Sequence, residues 1–118
     1  MHEDILAIEA AAKTFLDGLS DGDADKLASV FHASSVYDLA SPSNMPFQEE
    51  LLRSASAKAE GFPRHDKIVQ IYQASPTTAF VTLECAMPPR FFTDYLGFLK
   101  VKGDWKVTKR IFSNEMLH

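Results

Sequence analysis

Apolar residues at Ile5, Ile8, Ala12, Phe15, Leu16 and Leu19 recur every three or four positions, which predicts an amphipathic helix over residues 5–19. Gly18 and Gly22 mark its end. Asp21-Gly22-Asp23 supplies a turn, and Asp23 is placed to cap a second, shorter helix with Leu27, Val30 and Phe31 on one face. A brief strand is expected at Ser35 to Leu39, running into the loop Ala40 to Pro46. Pro46 suits a first helical turn, so a third helix follows, with Phe47, Leu51 and Ala55 on one face and Gly61 and Pro63 as its stop. After residue 66 the period changes from helical to alternating. Ile68 to Ala74, Thr78 to Met87, Arg90 to Val101 and Trp105 to Phe112 read as four strands, separated by Ser75-Pro76-Thr77, Pro88-Pro89 and Lys102-Gly103-Asp104. Short turns make consecutive strands antiparallel, and helices followed by a meander give an α+β domain with the helices on one face of the sheet.

The strand Arg90 to Val101 carries Phe92, Asp94, Leu96 and Phe98 on one face and Phe91, Thr93, Tyr95, Gly97, Leu99 and Val101 on the other. Both faces are apolar. If one packs on the helices, the other meets something else, most simply a second copy of the sheet, so a homodimer through the sheet is expected. Asp94 is the anomaly, because a carboxylate between Phe92 and Leu96 needs a partner or stays protonated through desolvation. Strict alternation sets Lys109 between Val107 and Ile111 on the adjacent strand, which makes an Asp94–Lys109 ion pair one reading of this residue. A functional carboxyl is the other. Asp38 ends the short strand before a proline-containing loop, where it reads either as a solvated turn residue or as a general base. Were the two carboxyls to face one cavity, they would divide proton-transfer work between an ionised base and a buried neutral acid. Phe15, Phe31, Tyr37, Phe92 and Tyr95 read either as plain core or as the lining of an apolar pocket.

Composition narrows the function further. At 118 residues the chain is the length of one domain, read over 1–118, with 46% hydrophobic and 24% charged residues. The net charge of -4, without a Lys/Arg cluster, argues against a nucleic-acid partner. No apolar run approaches membrane-spanning length and the N-terminus lacks a basic, then apolar leader, so a soluble, cytoplasmic protein without a membrane partner is expected. Cys85, the single cysteine, excludes an internal disulfide and reads as a small buried hydrophobe beside Val81 and Leu83. His2, His32, His65 and His118 are scattered without ligand spacing, so no metal site is expected; His32 reads as a charge favourable to the end of the second helix. The five glycines form no phosphate-cradling loop, which removes kinase and dinucleotide readings.

The run Phe91-Phe92-Thr93-Asp94-Tyr95-Leu96-Gly97-Phe98-Leu99-Lys100, followed by Gly103-Asp104-Trp105-Lys106-Val107 and Lys109-Arg110-Ile111-Phe112, resembles the C-terminal signature of the putative lumazine-binding family of NTF2-like proteins. Phe15-Leu16-Asp17-Gly18-Leu19, Gly22-Asp23 and Leu27-Ala28-Ser29-Val30-Phe31-His32 are similar to that family's opening helices. This resemblance implies an NTF2-like cone, in which a strongly curved, antiparallel or mixed sheet wraps the N-terminal helices around a cavity, commonly as a dimer. The superfamily also holds ketosteroid isomerases, SnoaL-like cyclases and dehydratases, and fold alone does not choose among them. By resemblance to ketosteroid isomerase, Asp38 falls within a residue of the general base and Asp94 at the neutral acid that donates to the oxyanion. Phe15 stands where that enzyme has a donating tyrosine, and a phenyl ring cannot donate.

The expectation is a binder of a small apolar or cyclic molecule, needing no cofactor, with isomerase-, cyclase- or dehydratase-type chemistry if it is an enzyme. Asp38 would be the base and Asp94 the buried donor, aided by Tyr37 or Tyr95. The alternative is a non-catalytic ligand-binding or protein-interaction module in which Asp94 is tied to Lys109.

Overall fold

The computed structural model describes residues 2–32, 64–87 and 89–116. These form two helices, α1 (His2–Asp21) and α2 (Ala24–Val30), then four strands, β1 (His65–Ser75), β2 (Thr78–Met87), β3 (Arg90–Val101) and β4 (Asp104–Met116). The strands pair antiparallel in the order β1-β2-β3-β4, the meander expected from the alternation. Phe31 adds a parallel bridge to Val107 at the β4 edge, secured by the His32 N–H donating to the Val107 carbonyl at 2.8 Å. The expected strand at residues 35–39 and helix at residues 46–61, with Tyr37 and Asp38, lie outside the described residues.

Local chemistry accounts for the boundaries. Asp23 caps α2 by accepting a hydrogen bond from the Lys26 N–H at 3.0 Å, which satisfies one of the first-turn donors. Phe31 closes that helix with its own N–H on the Ala28 carbonyl, and His32 serves through its backbone bridge to β4. A Cβ at Gly18 would lie 2.7 Å from Leu27 Cγ, so only glycine lets α1 and α2 approach this closely. Lys102 and Gly103 both have positive φ, 52° and 85°, the geometry that matches a two-residue hairpin turn to the twist of its strands.

Register shifts in the ladders fall between Ile68 and Gln70, between Gln73 and Ser75, and opposite Gly97 and Phe98, where Thr108 is the extra residue of β4. Such bulges bend and twist a strand, so the sheet curves around α1. Ile8, Ala12, Phe15, Leu16 and Leu19 of α1 meet Val81, Leu83, Phe92, Leu96, Phe98 and Val107 of the sheet in one buried core. Each buried Phe, Leu, Ile or Val there stabilises by roughly 1.5–3 kcal/mol relative to exposure. The other face of the sheet is open: Tyr72, Phe80, Tyr95, Leu99 and Ile111 are exposed. Among the described residues, no helix is long and apolar enough to cross a membrane.

The start of α1 is clasped to the sheet through Asp4. Its Oδ1 accepts from Lys100 Nζ at 3.0 Å and Trp105 Nε1 at 3.2 Å, and its Oδ2 from Gln73 Nε2 at 3.1 Å. Hydrogen bonds from Lys100, then Gln73, then Trp105 hold its carboxyl well below the ordinary range, from 3.8 to about 2. A depressed folded-state pKa contributes stability that is complete above the unfolded value and is lost as pH falls through the folded one. Asp4→Asn is therefore expected to lower the urea midpoint near neutral pH and to converge on the wild type below about pH 2. Urea titrations across that range check this; a deficit that stayed constant down to the lowest pH would contradict the clasp's ionic character.

Candidate functional site

β3 presents Phe92, Asp94, Leu96 and Phe98 to the core, as the alternation predicts. Asp94 is 0% exposed, a carboxylate in an otherwise apolar layer. Its partner is Arg110: Nη2 lies 2.7 Å and Nε 2.9 Å from Asp94 Oδ1, and the arginine side chain is 6% exposed. The ion pair is therefore not with Lys109, the partner that one reading of the sequence offers. Thr108 is a bulge, so alternation along β4 skips a position: Trp105 and Val107 face inward, then Arg110 and Phe112, while Lys109 and Ile111 face outward. Leu96 is cross-strand from Arg110 and Asp94 from Phe112, so the arginine reaches its carboxylate diagonally.

Aromatic rings hold the guanidinium in place. Its Cζ lies 4.2 Å from the Phe112 ring centroid and 5.4 Å from that of Phe15, and Phe15 is itself 6.0 Å from Phe31 in a tilted arrangement. Arginine suits this setting because its weakly hydrated plane stacks on rings while its edge meets a carboxylate. Cys85 Sγ lies 3.9 Å from Asp94 Oδ2. Burial pushes the Cys85 thiol far up, and the nearby carboxylates of Asp66 and Asp94 push the same way, so it stays a neutral S–H rather than a nucleophile. Arg64 Nε donates to Asp66 Oδ1 at 3.0 Å, and Asp66 sits opposite Cys85 in the β1–β2 ladder. The inner face thus carries a polar track across the strands from Arg64 and Asp66, past Cys85, to Asp94 and Arg110.

Of the residues singled out in the sequence, the structure brings Phe15, Phe31, Phe92 and Asp94 together on the concave side. Tyr95 and Lys109 are not with them; both face outward, and Tyr95 is 52% exposed. Tyr95 stands on the opposite face because it neighbours Asp94 in an unbroken strand. Sequence reasoning missed Arg110 and Phe112. Apolar positions at Trp105, Val107 and Ile111 favour uninterrupted alternation, and the adjacent polar residues Thr108 and Lys109 were the one sign of an inserted residue.

This fold, a curved antiparallel meander packed against two helices, is that of the NTF2-like proteins. It is similar to an NTF2-like protein from Shewanella baltica OS155, with a TM-score of 0.72 at 16% identity, covering 98% of this chain and 96% of that one. A ketosteroid isomerase-like protein from Erwinia carotovora atroseptica SCRI1043 is similar with a TM-score of 0.67 at 19% identity, covering 97% and 98%. The chain belongs to the putative lumazine-binding family, whose model matches residues 3–113. Among curated proteins, an aldolase, FrzH from Cladobotryum sp, is 37% identical over 46 residues. That match spans 37% of this chain and 37% of the aldolase.

Proposed function

We propose that this protein binds a small apolar or cyclic molecule against the concave face bearing Phe15, Phe31 and Phe92, and performs cofactor-free proton transfer on it. The observation that carries this reading is the Asp94–Arg110 pair. Burying two charges costs several kcal/mol per ion, and well-packed apolar residues usually serve stability as well or better, so a pair at this depth favours a role in recognition or chemistry. Family membership supports ligand binding, and the aldolase among the relatives fits the reaction class: aldol additions, isomerisations and cyclisations of carbonyl compounds share an enolate formed by removing a proton beside the carbonyl. Asp38 is the base in this reading and Tyr37 a further lining residue. Asp94, paired with a guanidinium, acts with Arg110 as the polar end of the site.

The test is exchange of the α-hydrogens of 2-tetralone, a bicyclic ketone, followed by NMR in heavy water. The protein is expected to accelerate exchange over buffer, and Asp38→Asn to remove about a hundredfold of that acceleration, the usual contribution of a positioned base. No acceleration with retained binding would contradict the catalytic part and leave a ligand-binding module.

A second copy of the chain is the partner favoured by the exposed outer face, where Tyr72 pairs across from Phe80 and Tyr95 from Ile111, itself 71% exposed. Light scattering is expected to give the mass of two chains, and Ile111→Glu the mass of one. A monomeric wild type would remove this partner.

A further inference from the structure

Resting on the ligand-binding reading above, we infer that Arg90 is a second contact of the site and that the molecule it takes is an organic monoanion: an apolar cyclic body carrying a carboxylate that meets the Arg90 guanidinium at the rim of the concave face.

The register sets Arg90 on that face. β3 alternates without interruption from Arg90 through Phe92 to Asp94, and both flanking ladders keep register over this stretch, so the arginine stands on the same side as those two inward residues. It is the first residue of β3, half-buried, and lies opposite Met87 of β2 and Met116 of β4. Four residues of strand separate it from Asp94, a span of about 13 Å, with Phe92 between them. Pro89 directly precedes it, and the pyrrolidine ring fixes φ there, which stiffens the backbone from which the side chain leaves.

Charge balance singles this residue out. Arg64 donates to Asp66 Oδ1 and Oδ2 at 3.0 and 3.3 Å, Arg110 to Asp94 at 2.7 and 2.9 Å, and Lys100 to Asp4 at 3.0 Å. Each of those cations faces a carboxylate. Among the described residues none pairs with Arg90, so the described part of the concave face carries one positive charge in excess. A single negative charge on the ligand balances it. A dianion such as a phosphate monoester leaves a surplus negative charge near Asp66 and Asp94, which a partly desolvated site disfavours. A carboxylate is also the planar anion that a guanidinium meets through two parallel N–H···O bonds. Because the whole chain has a net charge of -4, it is the local arginine and not the overall field that holds an anion here.

The neighbour of Arg90 supplies the apolar half of the match. Met116, directly across the β3–β4 ladder, is 48% exposed, an unbranched and polarizable side chain that adapts to the flank of a ring. An exposed methionine beside an unpaired arginine at the end of the concave face suits an amphipathic acid, with its rings inward and its carboxylate at the rim.

The experiment compares 2-naphthylacetate with 2-naphthylacetamide, its uncharged counterpart, by NMR titration of the full chain at neutral pH. The wild type is expected to bind the acid about tenfold more tightly than the amide, the scale by which a charge-assisted hydrogen bond exceeds a neutral one. The Met116 methyl resonance should shift as the acid binds. Arg90→Gln keeps a polar side chain without the charge; it should erase the preference for the acid and leave amide affinity within about twofold. Arg90→Lys should restore only part of the preference, since an ammonium offers a point charge and no fork. Arg90→Gln breaks no ion pair with a described residue, so its urea midpoint should match that of the wild type, which separates lost acid binding from lost folding.

If acid and amide bind alike, or the preference survives Arg90→Gln, the assignment of Arg90 is overturned, while binding of the amide leaves the ligand-binding reading standing. Tighter binding of 2-naphthyl phosphate than of 2-naphthylacetate would overturn the monoanion. If neither the acid nor the amide binds, both this inference and the ligand-binding reading fall.

Discussion

Arg110→Ala is expected to lower folding stability by about 3–5 kcal/mol, because it strands the Asp94 carboxylate in the core. Asp94 is 0% exposed, and Arg110 supplies two hydrogen bonds to one of its oxygens. Removing the guanidinium also opens space between Phe15 and Phe112. In a domain of this size each kcal/mol shifts the thermal midpoint by about 4 °C, so the loss should exceed 10 °C on that scale. The informative control is Asp94→Leu combined with Arg110→Met, which removes both charges and leaves apolar volume. It should lie within about 1 kcal/mol of the wild type. Urea unfolding at a fixed protein concentration checks both, the concentration being held because association adds to apparent stability. A loss below about 1 kcal/mol for Arg110→Ala would mean that water reaches the pair and that it is no buried site.

Phe15→Ala is the second large effect, at about 3–5 kcal/mol, the usual range for emptying a buried phenyl site. Phe15 is fully buried between Phe31 and the Arg110 guanidinium, so its loss removes core packing and one stacking surface of the arginine together. The two substitutions must therefore couple. Phe15→Ala with Arg110→Ala should cost less than the sum of the single changes, by about 0.5–3 kcal/mol. A double-mutant cycle in urea measures the difference directly. Strict additivity would place Phe15 in the helix core alone, with no part in holding Arg110.

Much of the fold was legible because the period of the hydrophobic pattern is unambiguous. Thr78–Met87 and Arg90–Val101 are strands over the residues that alternation assigned, and Asp23 caps α2 as its side chain predicts. The candidate site was only half legible for one physical reason. Alternation is a parity argument, and a single extra residue reverses every side chain beyond it. In β3 no residue intervenes, and Asp94 is inward as expected. In β4 Thr108 intervenes, so Arg110 occupies the place that unbroken alternation gives to Lys109. The clasp at Asp4 was also invisible, since it joins residues 69 to 101 positions apart that only the closed sheet brings to one helix end.

The most direct test of the central claim, that the Asp94–Arg110 pair is the polar end of a ligand site, is NMR of the Arg110 Nε–H resonance during addition of 4-nitrophenol. The account predicts that this resonance shifts and saturates together with those of Phe15 and Phe92, at the same ligand concentration. A stationary Arg110 signal while resonances of Tyr95, Ile111 or other outer-face residues move would contradict it, and would place ligand contact on the far side of the sheet.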